Sequence, residues 1–328
     1  MSKVCVIGSA TWDALLTTDQ AKLIKGKSGQ KTKSMLAFSY GAKIDASDTI
    51  YTFGGGASNV SVGLNRLGIS ASVYTHLGRD WRGREIINHL KAERVDVKSI
   101  TFDRERHSAM SLIVTSGAAR EHIAFVDRGA SSGLQLKTKL ASGTYNWFYL
   151  TAITTLNWPA MLRKFFTASS RAGKKIFWNP GSRQLASAKA LKPLLKYLTV
   201  LDLNKEEATK LVRDLGKKAK NEAQILKTLW SLGPEIVLIT CGAKGAYCFD
   251  GKSFIYYPSY KLKAVNTIGA GDAFGSGWLA GFIHSRGKLI EAMRWGMSNS
   301  NSVILKMGAQ RGLLRRGEIK KFLLQHHK

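Results

Sequence analysis

The sequence predicts an α/β fold with a mostly parallel sheet flanked by helices, and three features support this. Short β-branched and aromatic runs alternate with longer segments of helical apolar spacing, which is typical of βαβ units. The 328 residues, 44% of them hydrophobic, suffice for a full core. Residues 14–52 and 101–130 contain strand-like runs without intervening helices. We expect one domain over residues 1–328, with these two segments forming a small β lid.

The elements follow from local patterns. Val60, Leu64 and Leu67 lie at positions i, i+4 and i+7, and Gly68 then ends the helix. Main-sheet strands are predicted at 4–7, 72–77, 147–150, 175–178, 200–203 and 236–240, and lid strands at 111–115 and 122–127. Further helices are predicted at 85–91, 160–171, 206–212, 223–232, 273–285, 289–306 and 316–325.

The chain is strongly basic, with 50 Lys and Arg against 22 Asp and Glu and a net charge of +28. Such an excess fits a nucleic-acid-binding surface, attraction of anionic substrates, or a compositional bias without a specific partner. The basic residues are scattered, with local clusters at 22–33, 217–220 and 315–321. Scatter favours the compositional bias, and nucleic acid remains the less favoured partner.

Apolar runs are far shorter than the roughly 20 residues of a membrane-spanning helix, and the first residues lack a secretory apolar segment. Cys5, Cys241 and Cys248 lie in or beside apolar segments without CxxC spacing, which predicts buried free thiols. We expect a soluble cytoplasmic protein without a membrane partner.

Residues 266–278, NTIGAGDAFGSGW, place glycines directly before a carboxylate and a helix. The backbone N–H groups of Gly269, Ala270 and Gly271 would be unpaired at a helix N-terminus, which is an anion site. Asp272 beside them is explained if it accepts a proton from a hydroxyl while the N–H groups hold a phosphoryl group. The alternative is an ordinary helix start in which Asp272 compensates the helix dipole.

The sequence excludes two classes of nucleotide-binding protein, the P-loop proteins and the dinucleotide-binding Rossmann proteins. No GxxxxGK[ST] occurs, so the chain is not a P-loop protein. The run 54–59, GGGASN, has Asn59 where the dinucleotide fingerprint requires glycine. Gly54 and Gly55 instead permit close approach of the backbone, and Asn59 can donate to and accept from a polyhydroxyl ligand. Asp13, after the first strand, can bind a pair of sugar hydroxyls or be a solvated loop acid.

Two turns follow later strands. Asn204 and Glu207 form an N-x-x-E at a helix start, where they can reach phosphate and metal-bound water or simply cap the helix. Thr240, Gly242 and Gly245 end a strand in a turn of small residues that would let a phosphate or ribose approach the backbone.

In this order the motifs resemble the ribokinase/PfkB family of carbohydrate kinases over essentially the whole chain. The resemblance rests on Asp13, the GGxxxN of 54–59, the GxDxxG of 78–83, the NxxE of 204–207, the TxGxxG of 240–245, the GAGD of 269–272 and the GAQ of 308–310.

The resemblance implies a ribokinase-like, doubly wound sheet with a β lid, and transfer of phosphate from ATP, with Mg²⁺, to a sugar hydroxyl. By this likeness Asp272 is the base, Asn204 contacts phosphate and Glu207 contacts the water of Mg²⁺. Thr240, Gly242 and Gly245 lie beside the nucleotide, and Asn299 lies on the adenine side. Family lids pair into dimers in some members, so a homodimer through the lid is one expected assembly.

One departure concerns the start of the signature, where the family usually has Asp and this chain has Asn266. In members activated by potassium that acid helps to bind the ion, so a monovalent cation is uncertain here.

The acceptor is left open between classes. Arg128 and Arg183 would meet an acidic or phosphorylated acceptor, or lie on the surface. A nucleoside would need an aromatic stacking partner, for which Phe38, Tyr40 and Phe125 are candidates. We expect a sugar kinase; a nucleoside kinase, or a catalytically weak protein bound to nucleic acid, is the alternative.

Overall fold

The computed structural model describes residues 2–28, 31–116 and 122–326. Its strands are β1 (Lys3–Ile7), β2 (Thr11–Thr18), β3 (Lys22–Ser28), β4 (Lys31–Ala37), β5 (Asp48–Gly54), β6 (Ser70–Tyr74), β7 (His76–Gly78), β8 (Thr101–Asp103), β9 (Met110–Ser116), β10 (His122–Asp127), β11 (Trp147–Leu150), β12 (Lys175–Trp178), β13 (Val200–Asn204), β14 (Ile236–Thr240), β15 (Ala246–Phe249) and β16 (Phe254–Tyr257). Its α-helices are α1 (Gly56–Arg66), α2 (Trp81–Ala92), α3 (Trp158–Arg171), α4 (Ser182–Leu185), α5 (Ala188–Leu191), α6 (Lys205–Asp214), α7 (Glu222–Trp230), α8 (Ala270–His284), α9 (Leu289–Val303) and α10 (Glu318–His326).

The main sheet has the order β16-β15-β14-β13-β12-β11-β1-β6, with parallel pairing from β6 through β14. Strands β15 and β16 add an antiparallel edge that sequence periodicity had not indicated. The predicted α/β class with a mostly parallel sheet is therefore confirmed.

Both faces of the sheet are covered. Val4 and Val6 of β1 point into a core with α1, α2, α8 and α9, whereas Cys5 and Ile7 point into a core with α3, α6 and α7. Side chains alternate between faces along a strand, so a strand buried on both sides must be apolar throughout, as β1 is. This is the doubly wound arrangement.

A second, four-stranded sheet has the order β10-β9-β2-β5 and is antiparallel except for the β2–β9 pair. The hairpin of β3 and β4 extends from the same part of the chain. The expected small β-sheet is thus present, and it begins at Thr11, earlier than the expected position 14.

One predicted strand is wrong in its bounds. The run 72–77 divides at Thr75, because β6 pairs with β1 only as far as Tyr74, and β7 then pairs with β8. Apolar periodicity does not reveal a change of partner within one extended run.

Two further expectations concern the membrane and the thiols. Among the described residues, no helix is both long and apolar enough to cross a membrane. All three cysteines are free, with Cys5 and Cys248 buried and Cys241 partly buried.

Candidate active site

The start of α8 supplies backbone donors. Gly269 is the N-cap residue with φ of +74°, and a Cβ there would come within 2.6 Å of the Ala309 methyl group. A residue other than glycine would be strained and would clash at this position. The Ala270 N–H donates to the Thr267 carbonyl over 3.3 Å, which corrects its predicted place in the anion site. Within the described chain the N–H groups of Gly269, Gly271 and Asp272 have no such backbone acceptor.

Asp272 lies in the first turn of α8 and its carboxyl is partly buried. Asn59 of α1 donates from Nδ2 to Asp272 Oδ2 over 2.8 Å. Burial raises the pKa of Asp272 to about 6, although this hydrogen bond acts in the opposite direction. A carboxyl with a pKa near 6 is ionised at neutral pH and is a stronger base than an ordinary aspartate.

Asn59 is itself held in place. Its Oδ1 accepts a hydrogen bond from Gln310 Nε2 over 2.9 Å, and its side chain is buried. Sequence reasoning had assigned Asn59 to a polyhydroxyl ligand. In the structure its amide already donates to Asp272, which leaves only the second Nδ2 hydrogen for a ligand.

Asp13 lies within β2 of the lid sheet, and not in a loop after β1. Its side chain is 5% exposed, and Oδ1 has no hydrogen-bond partner in the described part of the chain. Burial raises the pKa of Asp13, while the nearby hydroxyls of Thr11 and Ser111 oppose this in part. A Cβ on Gly54 would lie 2.0 Å from Asp13 Oδ2, so glycine at 54 makes room for this carboxyl.

Gly55 turns the chain from the lid into α1. It has φ of +82°, and a Cβ there would come within 2.6 Å of the Ser9 carbonyl oxygen. The two predicted glycines thus have different tasks: Gly54 accommodates Asp13, and Gly55 aims α1 so that Asn59 reaches Asp272.

A cavity of about 250 Å³ extends from the start of α8 to β14. Its lining includes the predicted Thr240, Gly242 and Gly245, the apolar Leu262, Phe274, Met297 and Ile304, and the polar Ser259, Ser300 and Asn301. A Cβ at Gly242 or Gly271, which also lines the cavity, would meet no protein atom within 4 Å. The open space at these glycines therefore faces the cavity.

Asn204 and Glu207 form a reciprocal capping box on α6. Asn204 Oδ1 accepts from the Glu207 N–H over 2.9 Å, and Glu207 Oε2 accepts from the Asn204 N–H over 3.0 Å. The capping alternative is thus realised, and it does not consume Glu207 Oε1. Burial raises the pKa of Glu207.

A sequence model of the pfkB family carbohydrate kinases matches residues 1–315. The chain belongs to this family. A ribokinase of Haemophilus influenzae is 26% identical over 83% of this chain and 87% of its own length. Arabidopsis thaliana ribokinase, solved with ribose and ATP, superposes with a TM-score of 0.80 at 18% identity, covering 98% of this chain and 99% of that one. Burkholderia thailandensis nucleoside kinase, solved with inosine, gives 0.78 at 19% identity and 98% coverage of both chains.

One predicted residue of this pfkB kinase lies elsewhere. Asn299 is fully buried, donates to the Ala273 carbonyl over 2.9 Å and accepts from the Leu314 N–H over 2.9 Å. It joins α8, α9 and the C-terminal segment, which corrects its predicted position on the adenine side. Ser300 and Asn301 of α9 line the cavity instead.

The two arginines predicted to meet an acidic acceptor, Arg128 and Arg183, are exposed. Phe125 lies on the wrong face of the lid to stack a base beside Asp13. Ser111 pairs with both Asp13 and Val126, so Val126 shares the face of Asp13 and the adjacent Phe125 points to the other.

Sequence reasoning missed three polar residues that the structure connects to Asn59 or Asp272. Gln310 entered only as a letter of the closing GAQ, and His89 and Asp202 did not enter at all. Asp202 of β13 is 2% exposed, and burial raises its pKa well above the ordinary range. A lone polar residue in an otherwise apolar run was the available signal for Asp202; His89 and Gln310 come together only through long-range contacts.

Proposed function

We propose that this kinase transfers the terminal phosphoryl group of ATP to a hydroxyl of a sugar or sugar derivative. The observation that supports this most strongly is the start of α8, where Asp272 lies next to three backbone N–H groups without backbone acceptors in the described chain.

The reaction uses these groups together. Asp272 accepts the proton of the acceptor hydroxyl while the hydroxyl oxygen forms a bond to the γ-phosphorus of ATP. The bond between the γ-phosphorus and the β,γ-bridging oxygen breaks, and ADP leaves. The N–H groups of Gly269, Gly271 and Asp272 stabilise the negative charge on the transferred group. A proton acceptor with a pKa of about 6 is ready for this task at neutral pH.

The cavity fits the base of the nucleotide. Its apolar walls suit a planar ring, and its polar residues Ser259, Ser300 and Asn301 can hydrogen-bond the ring edges. Phosphates would then extend past Gly242 towards Gly271, where the open space lies.

Glu207 fits a role towards Mg²⁺, which would neutralise phosphate charge when bound. Mg²⁺ in kinases is commonly held by one or two carboxylates, waters and the substrate phosphates. Glu207 Oε1 is the oxygen that the capping box leaves for such a water.

Asp13 is the proposed anchor for the acceptor. A buried carboxylate oxygen without a partner needs a donor, and a sugar hydroxyl supplies one. The strand pairing described above places Phe125 on the opposite face from Asp13, which favours a sugar over a nucleoside stacked on Phe125.

The test is a panel of acceptors with Mg²⁺ and ATP, in which release of ADP is measured against a blank without acceptor. The panel contains ribose, fructose, a 2-keto-3-deoxy sugar acid, a hexose phosphate and the nucleosides adenosine and inosine. Turnover of a sugar that is lost in Asp272→Asn supports the proposal. Turnover of nucleosides alone, or no turnover together with salt-sensitive binding of duplex DNA, would overturn it.

A further inference from the structure

A chain of side-chain hydrogen bonds extends from Asp272 to α2. Asn59 donates to Asp272 Oδ2 over 2.8 Å, and Gln310 Nε2 donates to Asn59 Oδ1 over 2.9 Å. Gln310 Oε1 in turn lies 2.6 Å from His89 Nε2. These contacts join residues of α8, α1, the C-terminal segment and α2.

The hydrogen bonds of this series all run in one direction, from donor to acceptor towards Asp272. An ionised carboxylate only accepts hydrogen bonds, so Asn59 must present its Nδ2 to Asp272 and its Oδ1 to Gln310. Gln310 must then present Nε2, whose two hydrogens reach Asn59 Oδ1 and Ser58 Oγ, the latter over 2.9 Å. Gln310 Oε1 is left to accept from His89, which therefore carries a hydrogen on Nε2. Every donor in the chain points towards Asp272.

The outer members are rigidly held. The ring of His89 stacks on Phe53 with centroids 4.1 Å apart and an interplanar angle of 12°. Gln310 is 3% exposed, and its backbone carbonyl accepts from Arg66 Nη1 over 2.8 Å. The guanidinium of Arg66 is paired with Glu93. The His89–Phe53 stacking and the Arg66 contacts together fix the position from which Gln310 reaches Asn59.

We propose that Gln310 and His89 are positioning residues that hold the Asn59 amide with its nitrogen towards Asp272. This proposal rests on the function proposed above. Without the Gln310 donor, the Asn59 amide loses the contact that anchors its oxygen, and its Nδ2 is held less firmly against the carboxylate. The hydrogen bond to the ionised form of Asp272 is then weaker, so the proton acceptor is less often ionised and less well oriented.

Gln310→Glu is the sharpest variant because it is isosteric. Its carboxylate can accept from His89 and Ser58 but cannot donate to Asn59 Oδ1. We expect kcat to fall about tenfold or more, the effect of losing a hydrogen bond to a charged group, with little change in the KM for ATP. Gln310→Met, which adds no charge, is expected to act in the same direction.

His89 has a matched control. His89→Phe keeps a ring against Phe53 and removes the donor to Gln310. His284 also contacts an oxygen, the Leu67 carbonyl, at 2.9 Å from Nε2, and packs against Trp295, but lies away from the site. We expect His89→Phe to shift the acidic limb of the pH–rate profile upwards, by less than Gln310→Glu, and His284→Phe to leave it in place.

A second readout does not depend on turnover. The side-chain ¹³C carboxyl resonance of Asp272, assigned by its absence in Asp272→Asn, is titrated in each folded variant. We expect the pKa to rise by about one unit in both Gln310 variants. An unchanged pKa and an unchanged acidic limb in a variant that melts cooperatively would overturn the positioning role. Failure of the proposed function has a different signature: the wild type phosphorylates no acceptor, while the resonance still shifts in the variants.

Discussion

Asn59 and Asp272 are hydrogen-bonded over 2.8 Å although 213 positions separate them in the sequence. The contact requires α1 and α8 to lie very close together. A Cβ on Gly63 of α1 would come within 2.5 Å of Ser276 Oγ on α8, so small residues at the crossing allow this approach. The packing of the two helices thus brings the proposed base, Asp272, and its hydrogen-bond partner, Asn59, together.

Activity should depend on pH through Asp272. Its pKa is raised to about 6, and the proposed reaction uses its ionised form. The value of kcat/KM is therefore expected to rise with pH through about 6 and to fall about tenfold per unit below it. Initial rates between pH 5 and 8.5, with both substrates limiting, measure this. An acidic limb near the ordinary aspartate value would contradict the assignment.

Alanine substitutions at two glycines of the start of α8 should have different effects, one on turnover and the other on stability. At Gly271 a Cβ meets no protein atom, so Gly271→Ala should fold normally and lose turnover, since the methyl group enters the space of the phosphates. At Gly269 the left-handed φ and the contact with Ala309 predict a loss of stability of about 1–3 kcal/mol. Chemical denaturation and turnover separate the two effects. Normal turnover in Gly271→Ala would show that phosphate does not pass there.

The hydrogen bonds of Asn266 predict how turnover depends on potassium. It is 4% exposed, donates from Nδ2 to the Lys306 carbonyl and accepts from the Ile268 N–H over 2.8 Å. An amide hydrogen therefore already satisfies this carbonyl, and wild-type turnover is expected to be the same with and without potassium. Asn266→Asp should lose about 1–3 kcal/mol of stability and recover part of it in potassium. Potassium activation of the wild type would contradict this view.

Substitution of Asp13 should weaken binding of the acceptor without changing binding of ATP. Asp13→Ala is expected to raise the acceptor KM about 10–100-fold, the scale of a lost hydrogen bond to a charged group, and to leave the KM for ATP unchanged. Gly54→Ala should reproduce this effect, because its methyl group would displace the carboxyl. Saturation curves for each substrate provide the measurement. A matching rise in the KM for ATP would remove Asp13 from the acceptor site.

The fold was largely predictable because its information is local. Apolar runs and glycine stops marked the parallel strands and most helices. Where a single extended run changed partners at Thr75, or where Asp13 belonged to a second sheet, local pattern could not decide. Strand pairing depends on tertiary contacts that a window of residues does not contain.

The site was predictable only in its glycines and carboxylates. Asp272 and Gly271 could be proposed as site residues because they are adjacent in one short motif, the GAGD of residues 269–272. The roles of Gln310 and His89 could not, because each is defined by a partner more than two hundred positions away in the chain. Asn299 was misplaced for the same reason: its helix was predicted, but the face that it presents was not.

The central claim is that Asp272 accepts the proton of the acceptor hydroxyl, and Asp272→Asn tests it most directly. The amide is nearly isosteric and neutral, so the variant should bind ATP and melt no lower than the wild type at neutral pH, since an ionised carboxylate is no longer partly buried. The account predicts that kcat falls by roughly two to four orders of magnitude on the best acceptor. Turnover close to that of the wild type would contradict it.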